Sequence, residues 1–320
     1  PGCGDMYDIL SGISVGHGRL DEALAWKMRR YELDPENTVV ACQVAGLLDA
    51  LGFREEARLW SAKSNEGRFY YCFSEHYFEC SASREAYLSE RCKTHRLERA
   101  QGLIGSDYAT ATDWIRVFKY REAIYLAQTS DRPDLVRKWL DEALEWLGTG
   151  DPVAILAKNP KRLVSARHEG LDLVPVFRDL GLDEAAERML TLCERDPADP
   201  EQIVFRMDTW HYVDARHRSL AGDKAEAMAL LERAVGEHQT YLGRPSPDRW
   251  DLMFDRALDP LREDPAYAPR LERLIKEYYD WMAPARERTA KALETGDWAS
   301  LRTLLDEDST MLAASPTHAE

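Results

Sequence analysis

No stretch of the sequence approaches the roughly 18 consecutive apolar residues of a membrane-spanning helix, and its start lacks a charged head followed by an apolar secretory core. Neither membrane insertion nor self-directed export is expected, and the predicted compartment is the cytoplasm. Basic side chains are in the minority: 42 Lys and Arg stand against 57 Asp and Glu, a formal charge of −15. A field of that sign repels phosphates and removes the counterion release behind most sequence-independent nucleic-acid affinity, which argues against direct DNA or RNA binding. Cysteine is sparse. Cys3, Cys42, Cys72, Cys80, Cys92 and Cys193 form no dense framework and read as buried thiols in a reducing compartment rather than as staples. Runs of alternating apolar and polar residues are missing as well, so no strand is predicted. The chain opens at Pro1 rather than Met, as a fragment or a processed product would.

What the chain does have is 320 residues, 44% of them hydrophobic, enough for two or three domains or for one array of small repeated units. A repeat is visible. Gly18 opens Gly-Arg-Leu-Asp-Glu-Ala, and 34 residues later Gly52 opens Gly-Phe-Arg-Glu-Glu-Ala, with Ala57 matching Ala23 and Trp60 matching Trp26. Glycine permits the positive φ of a tight turn, the small Ala lets two helices approach, and Pro35 after Asp34 blocks continuation. The same step returns at Gly181 to Ala186, at Gly222 to Ala227 and late at Gly296 to Leu301, with weaker copies at Ser81 to Ala86 and Asp131 to Val136. Between anchors the pattern stays helical: Leu135, Trp139, Leu140, Ala143, Leu144 and Leu147 form one apolar stripe. Gly/Pro breaks near residues 149–152, 195–200 and 243–247 read as inter-helix loops, and the tail after Ser309 is expected to fray.

A 34-residue period with small residues at the turn, an aromatic three residues further and a closing Asp-Pro resembles the tetratricopeptide repeat family. The resemblance implies an all-α fold, a right-handed superhelical solenoid of helical hairpins with degenerate middle repeats. The corresponding organisation is 1–65 as two N-terminal units, 66–205 as degenerate repeats, 206–308 as a C-terminal repeat-like region and 309–320 as a flexible tail. Residues 219–274, with a loop at Trp250, the run Leu258-Asp259-Pro260-Leu261-Arg262-Glu263-Asp264-Pro265 and Leu271-Glu272-Arg273-Leu274, are similar to the close of repeat regions attached to bacterial winged-helix regulators and adenylate-cyclase-type proteins. There the Asp-Pro-Leu-Arg stretch packs beside the last hairpin, and the repeats sense or interact on behalf of an upstream effector domain. This chain continues about forty residues further, through Tyr278, Trp281 and a predicted further hairpin near Gly296.

Chemistry-bearing patterns are few. Gly12-Ile13-Ser14-Val15-Gly16 fits a nucleophile-elbow motif, but that motif needs a strand before a strained turn, and here a repeat turn follows instead. Cys72, His76 and Cys80 step by four along one helical stripe, with Cys92 and His95 on the next helix. Soft and imidazole ligands suit zinc, yet the short knuckles of structural zinc sites are absent, so these five read as packing residues and no metal is expected. His211, Asp214 and His217 drift around a helix at three-residue steps and read as a solvated face. Phe69 to Phe78 carries aromatics on more than one face, which puts Tyr71 and Phe78 forward as exposed partner-binding residues.

Stacked helix pairs line a concave groove with the first helix of each unit. Carrying the family's groove positions over gives Asp8, Cys42 and Asp49, then Arg121, Tyr125 and Gln128, then His168, Arg178, Tyr212 and Arg216. The sequence therefore predicts a non-enzymatic module that binds a protein or peptide in this groove, within a regulatory assembly and without a cofactor. The alternative is the small-molecule or metal sensing region of a transcriptional regulator or cyclase whose effector domain lies elsewhere.

Overall fold

Among the described residues one kind of turn leads directly from one helix into the next at five places. A computed structural model describes residues 3–65, 80, 83–105, 113–157, 163–194, 210–237 and 249–302, with 240–241, 244–245 and 247. At Gly18, Gly52, Asp131, Gly181 and Gly222 the backbone takes a positive φ, between 55° and 90°. The residue after each donates its N–H to the carbonyl five positions back: Arg19 to Ser14, Phe53 to Leu48, Arg132 to Ala127, Leu182 to Phe177 and Asp223 to Arg218, at 2.8 to 3.1 Å. That bond satisfies an orphan carbonyl at the end of one helix and turns the chain directly into the next. Five residues beyond each turn residue sit Ala23, Ala57, Val136, Ala186 and Ala227, all buried to within 2% of complete. These small side chains let the paired helices close on each other.

Helices dominate the described residues, and the one extended element is a two-residue antiparallel pairing of β1 (Thr240–Tyr241) with β2 (Arg244–Pro245). Among the described residues no helix is long and apolar enough to cross a membrane. Two compact units are present: one comprises Pro1–Phe78, Glu237–Arg249 and Ile275–Glu320, the other Glu79–Gly236 and Trp250–Leu274.

The first unit holds α1 (Cys3–Gly16) paired with α2 (Leu20–Leu33) and α3 (Thr38–Ala50) paired with α4 (Arg54–Asn65), with α2 against α3. Asn37 caps α3 through its side chain, which accepts from the Val40 N–H. Trp26 stacks on Tyr7 with centroids 5.8 Å apart, while its repeat mate Trp60 meets Tyr31 edge-on at 4.7 Å. The aromatic three residues after the anchor Ala thus does the same job in both hairpins, packing on a tyrosine.

The second unit runs through α5 (Arg84–Leu88), α6 (Glu90–Gly105), α7 (Asp113–Gln128), α8 (Pro133–Leu147), α9 (Ala154–Ala157), α10 (Leu163–Asp179), α11 (Asp183–Cys193), α12 (Trp210–Leu220) and α13 (Lys224–Gly236). Its pairs are α7 with α8, α10 with α11 and α12 with α13, and α10 also touches the first helices on either side, α7 and α12. The predicted stripe of α8 is confirmed: Trp139, Leu140, Ala143 and Leu144 are buried, with Leu135 and Leu147 at its edge. The chain returns as α14 (Arg249–Phe254), a 3₁₀ turn at Arg256–Leu258, α15 (Asp259–Arg262) and the start of α16 (Ala268–Thr295). α15 packs against α12 and α13, the last hairpin of the unit.

Several expectations are corrected. Cys80 and Cys92 are joined in a disulfide, because the chain brings their Cα atoms to 5.5 Å, inside bridging range. Trp250 lies in α14 rather than in a loop. Near Gly296 the helix α16 ends and a 3₁₀ turn, Ala299–Leu301, follows without the closing bond of the hairpin turns; the rest of the hairpin expected there lies outside the described residues.

Candidate functional site

α10 places Glu169, Asp172 and Asp179 three and seven residues apart, hence on one stripe, and each meets a cation or amide from a neighbouring element. Arg121 of α7 pairs with Glu169, and Arg216 of α12 pairs with Asp172. Gln128 Nε2 donates to Asp179 Oδ2 at 3.0 Å, and Arg256 Nη1 reaches the same oxygen at 3.1 Å. Arg216 Nε also lies 2.6 Å from Asp255 Oδ2, an oxygen that accepts from the Tyr212 hydroxyl at 2.6 Å. Asp255 is placed by its own local chemistry: its side chain caps the 3₁₀ turn by accepting from the Ala257 N–H at 2.8 Å. The partly buried Arg262 donates to the carbonyls of Asp255 and Leu252, which ties down the loop that carries Asp255.

The electrostatics follow from burial working against opposite charge. For Arg216, burial favours loss of its proton, but Asp255 and Asp172 outweigh it and hold the guanidinium firmly charged. Burial acts on Asp255 in the upward direction and is overcome by Arg216 and the Tyr212 hydroxyl, so this carboxyl sits below its ordinary value. In Asp172 burial wins over Arg216, with repulsion from Asp255 added, and the carboxyl is pushed up to about 6. Burial, with Asp251 and Asp255 nearby, lifts the Tyr212 phenol well above its usual range, and burial with Tyr87 does so for Tyr125. Tyr212 and Arg216 are both buried, and Asp255 and Asp172 hold the hydroxyl and the charged guanidinium in place.

Of the predicted groove residues, Arg121, Tyr125, Gln128, Tyr212 and Arg216 come together on α7 and α12, flanking α10. Arg178 of α10 points elsewhere, donating to the Leu220 carbonyl at 2.9 Å and to Glu187 at 3.0 Å. His168 falls on α10 with its side chain outside the described part, and Tyr71 and Phe78 lie outside the described residues. In the first unit Asp8 accepts from Lys27 Nζ at 2.5 Å, Asp49 lies 4.0 Å from Arg54, and Cys42 is half-buried on α3. Sequence reasoning missed Glu169, Asp172, Asp179 and Asp255. The spacing of the first three was a usable sign, whereas Asp255 is linked to Tyr212 across 43 positions and had none.

The remaining chemical patterns resolve differently. Ser14 lies inside α1, fully buried, and its hydroxyl donates to the Leu10 carbonyl, so no strand-to-helix elbow forms there. Of the metal candidates, Cys72 and His76 fall outside the described residues, Cys80 and Cys92 are bonded to each other, and His95 Nδ1 lies 3.2 Å from Glu98. The triplet on α12 is not a solvated face: His217 is buried with its ring nitrogen 3.1 Å from the Leu190 carbonyl, and Asp214 accepts from the buried Arg167 at 2.8 Å. The polar spacing suggested water, but neighbouring hairpins cover that side. A scan against protein-family models matches no family, and a search of curated proteins returns no match.

Proposed function

We propose that the chain is a non-enzymatic, tetratricopeptide-like solenoid, with the right-handed path of that family, that binds a peptide or protein along its first helices within a regulatory assembly. One observation carries this reading. The first helices α7, α10 and α12 already hold a turn of polypeptide through charged side chains, receiving Asp255 on Arg216 and Tyr212, and Arg256 on Asp179. A surface that recognises an acid and a base one residue apart in its own chain has the means to recognise another. The five identical turns support the repeat reading, since a stacked array needs one joint used many times.

The test is photocrosslinking of the full chain in lysate of the expressing cells. Benzoylphenylalanine replaces Asp8 or Arg178 on first helices, and Lys138 on the second helix α8 as a comparison. Adducts with a discrete protein from the first two positions and not from the third are expected. Adducts from position 138 alone, or from none of the three, would overturn the reading.

A further inference from the structure

A cavity of about 600 Å³ opens in the second unit at the joint between α7 and α8, lined also by α5, the end of α10 and the start of the returning segment. That is the size of a small-molecule site. It shares Gln128, Asp179 and Arg256 with the polar contacts described above, but most of its lining belongs to α5 and the α7–α8 turn.

Its floor is apolar and prebuilt. Tyr87 and Phe254 are buried, with ring centroids 4.6 Å apart, and Val136 is buried beside them, while Leu88 lines the same space at 50% exposure. Arg96 fastens the wall: its guanidinium donates to the Tyr87 carbonyl at 2.8 Å and to the Thr129 carbonyl at 2.6 Å, and it lies 4.1 Å from the centre of the Tyr87 ring. α5 and the α7–α8 turn are thereby held as one piece, so a ligand need not order them.

Its rim carries accessible charge of both signs. Arg84 and Arg132 supply cations, and Asp131 and Asp179 supply carboxylates. Each has a partner on the protein, Arg132 with Asp134 and Asp131 with Lys93, but these are exposed pairs that water and salt weaken, so a ligand group can replace them. Three arginines and three aspartates line the cavity in all, a balance that favours neither an anion nor a cation.

The turn residue adds a second sign. In the other four hairpins it is Gly18, Gly52, Gly181 or Gly222, whereas here Asp131 takes the same left-handed conformation at φ 55°. An L-residue there is strained where glycine is not, and the strain sets a carboxylate on the cavity.

We propose that this cavity binds a small zwitterion with an apolar side chain, of free amino acid or dipeptide size. Arg84 and Arg132 take its carboxylate, Asp131 and Asp179 its ammonium, and Phe254 and Val136 its side chain. The test is calorimetric titration of the full chain with L-phenylalanine, with 2-phenylethylamine and 3-phenylpropionate as probes that each keep one charge. Saturable binding of phenylalanine with Kd near or below about 1 mM is expected, with each single-charge probe at least about tenfold weaker. Asp131→Gly restores the turn residue of the other hairpins, so it is expected to raise Tm while weakening phenylalanine about fivefold or more; Arg132→Gln weakens it with Tm unchanged. The proposal fails if phenylalanine gives no saturable heat at 10-fold above that Kd, if a single-charge probe binds as tightly, or if Asp131→Gly binds as the parent does. Crosslinking at Asp8 and Arg178 is unaffected by any of these outcomes.

Discussion

Buried charge is handled in opposite ways by the two compact units. In the first, Asp21 is buried on α2 but its partner Arg288 is 53% exposed, and the buried Lys27 likewise reaches an Asp8 that stays in water. In the second, Arg216 at 3% exposure meets Asp255 at 9%, and the buried Arg167 meets a largely covered Asp214. A pair with one member in water lets solvent share the charge, so losing it is tolerated. A pair with both members inside couples its helices strongly, because removing either leaves a buried charge less well neutralised. The first unit is therefore held chiefly by shape and the second by shape together with directed charge.

The largest expected effect tests that contrast directly. Arg216→Met should lower the unfolding free energy by about 3–5 kcal/mol, since Asp255 and Asp172 lose their common cation. Adding Asp255→Asn and Asp172→Asn should return a large part of it. Lys27→Met, the matching change in the first unit, should lose about 1 kcal/mol or less, its partner being half in water. Urea unfolding of the three variants beside the parent decides the matter, and equal losses for Arg216→Met and Lys27→Met would erase the distinction between the units.

Next in size is the disulfide, a covalent link found in the second unit. Cys80 and Cys92 close a loop of 12 residues, for which the chain-entropy treatment gives about 3 kcal/mol. Reductant should shift the urea midpoint of the parent and leave that of a Cys80→Ser/Cys92→Ser variant in place. A parent midpoint that ignores reductant would mean the staple contributes nothing to this unit.

Shape dominates where glycine turns meet a neighbour. A Cβ on Gly18, at φ 71°, would stand 2.6 Å from the Trp281 ring, while one on Gly181, at φ 69°, meets nothing within 4 Å. Both alanine variants carry the left-handed penalty of about 1–2 kcal/mol, and Gly18→Ala adds an overpacking cost of about 1 kcal/mol or more. Thermal unfolding should rank Gly18→Ala clearly below Gly181→Ala; the reverse order would show that Trp281 yields freely.

How much the sequence disclosed follows the same division. The hairpins were legible because their joint is a local device: a residue with positive φ and, five positions on, a small side chain at the helix contact, as at Gly18 and Ala23 or Gly181 and Ala186. At Asp131 the joint is equally regular, yet it reads faintly because an aspartate stands where the glycine is sought. Arg121, Gln128, Tyr212 and Arg216 were picked out from the repeat register and lie on α7 and α12 beside α10, but the contacts they make with α10 and Asp255 are tertiary, and only the acidic spacing on α10 hinted at them. Cys80 and Cys92 looked like isolated thiols because their pairing depends on how the chain enters α6. His217 was misread for a related reason, since its covering carbonyl at Leu190 belongs to another hairpin.

The smallest effect is a pair of opposed pH slopes in the second unit. Asp172 has its folded value raised to about 6 from an ordinary 3.8, so the folded protein holds a proton the unfolded chain has released, and its contribution to stability grows as pH falls through 6 and is complete below about 3.8. Nearly half of the Asp172 side chain still touches water, which keeps this term modest. His217 is lowered from 6.5, by burial first, so as pH falls through 6.5 the unfolded chain takes up a proton that the folded protein refuses, and stability drops. The two terms oppose each other as the pH falls below neutrality, so each masks part of the other in the parent. Removing one exposes the other: Asp172→Asn should lose stability on acidification over that range, and His217→Gln should gain it, both read from urea midpoints. A flat profile in either variant would mean that the group it retains does not titrate as its surroundings require.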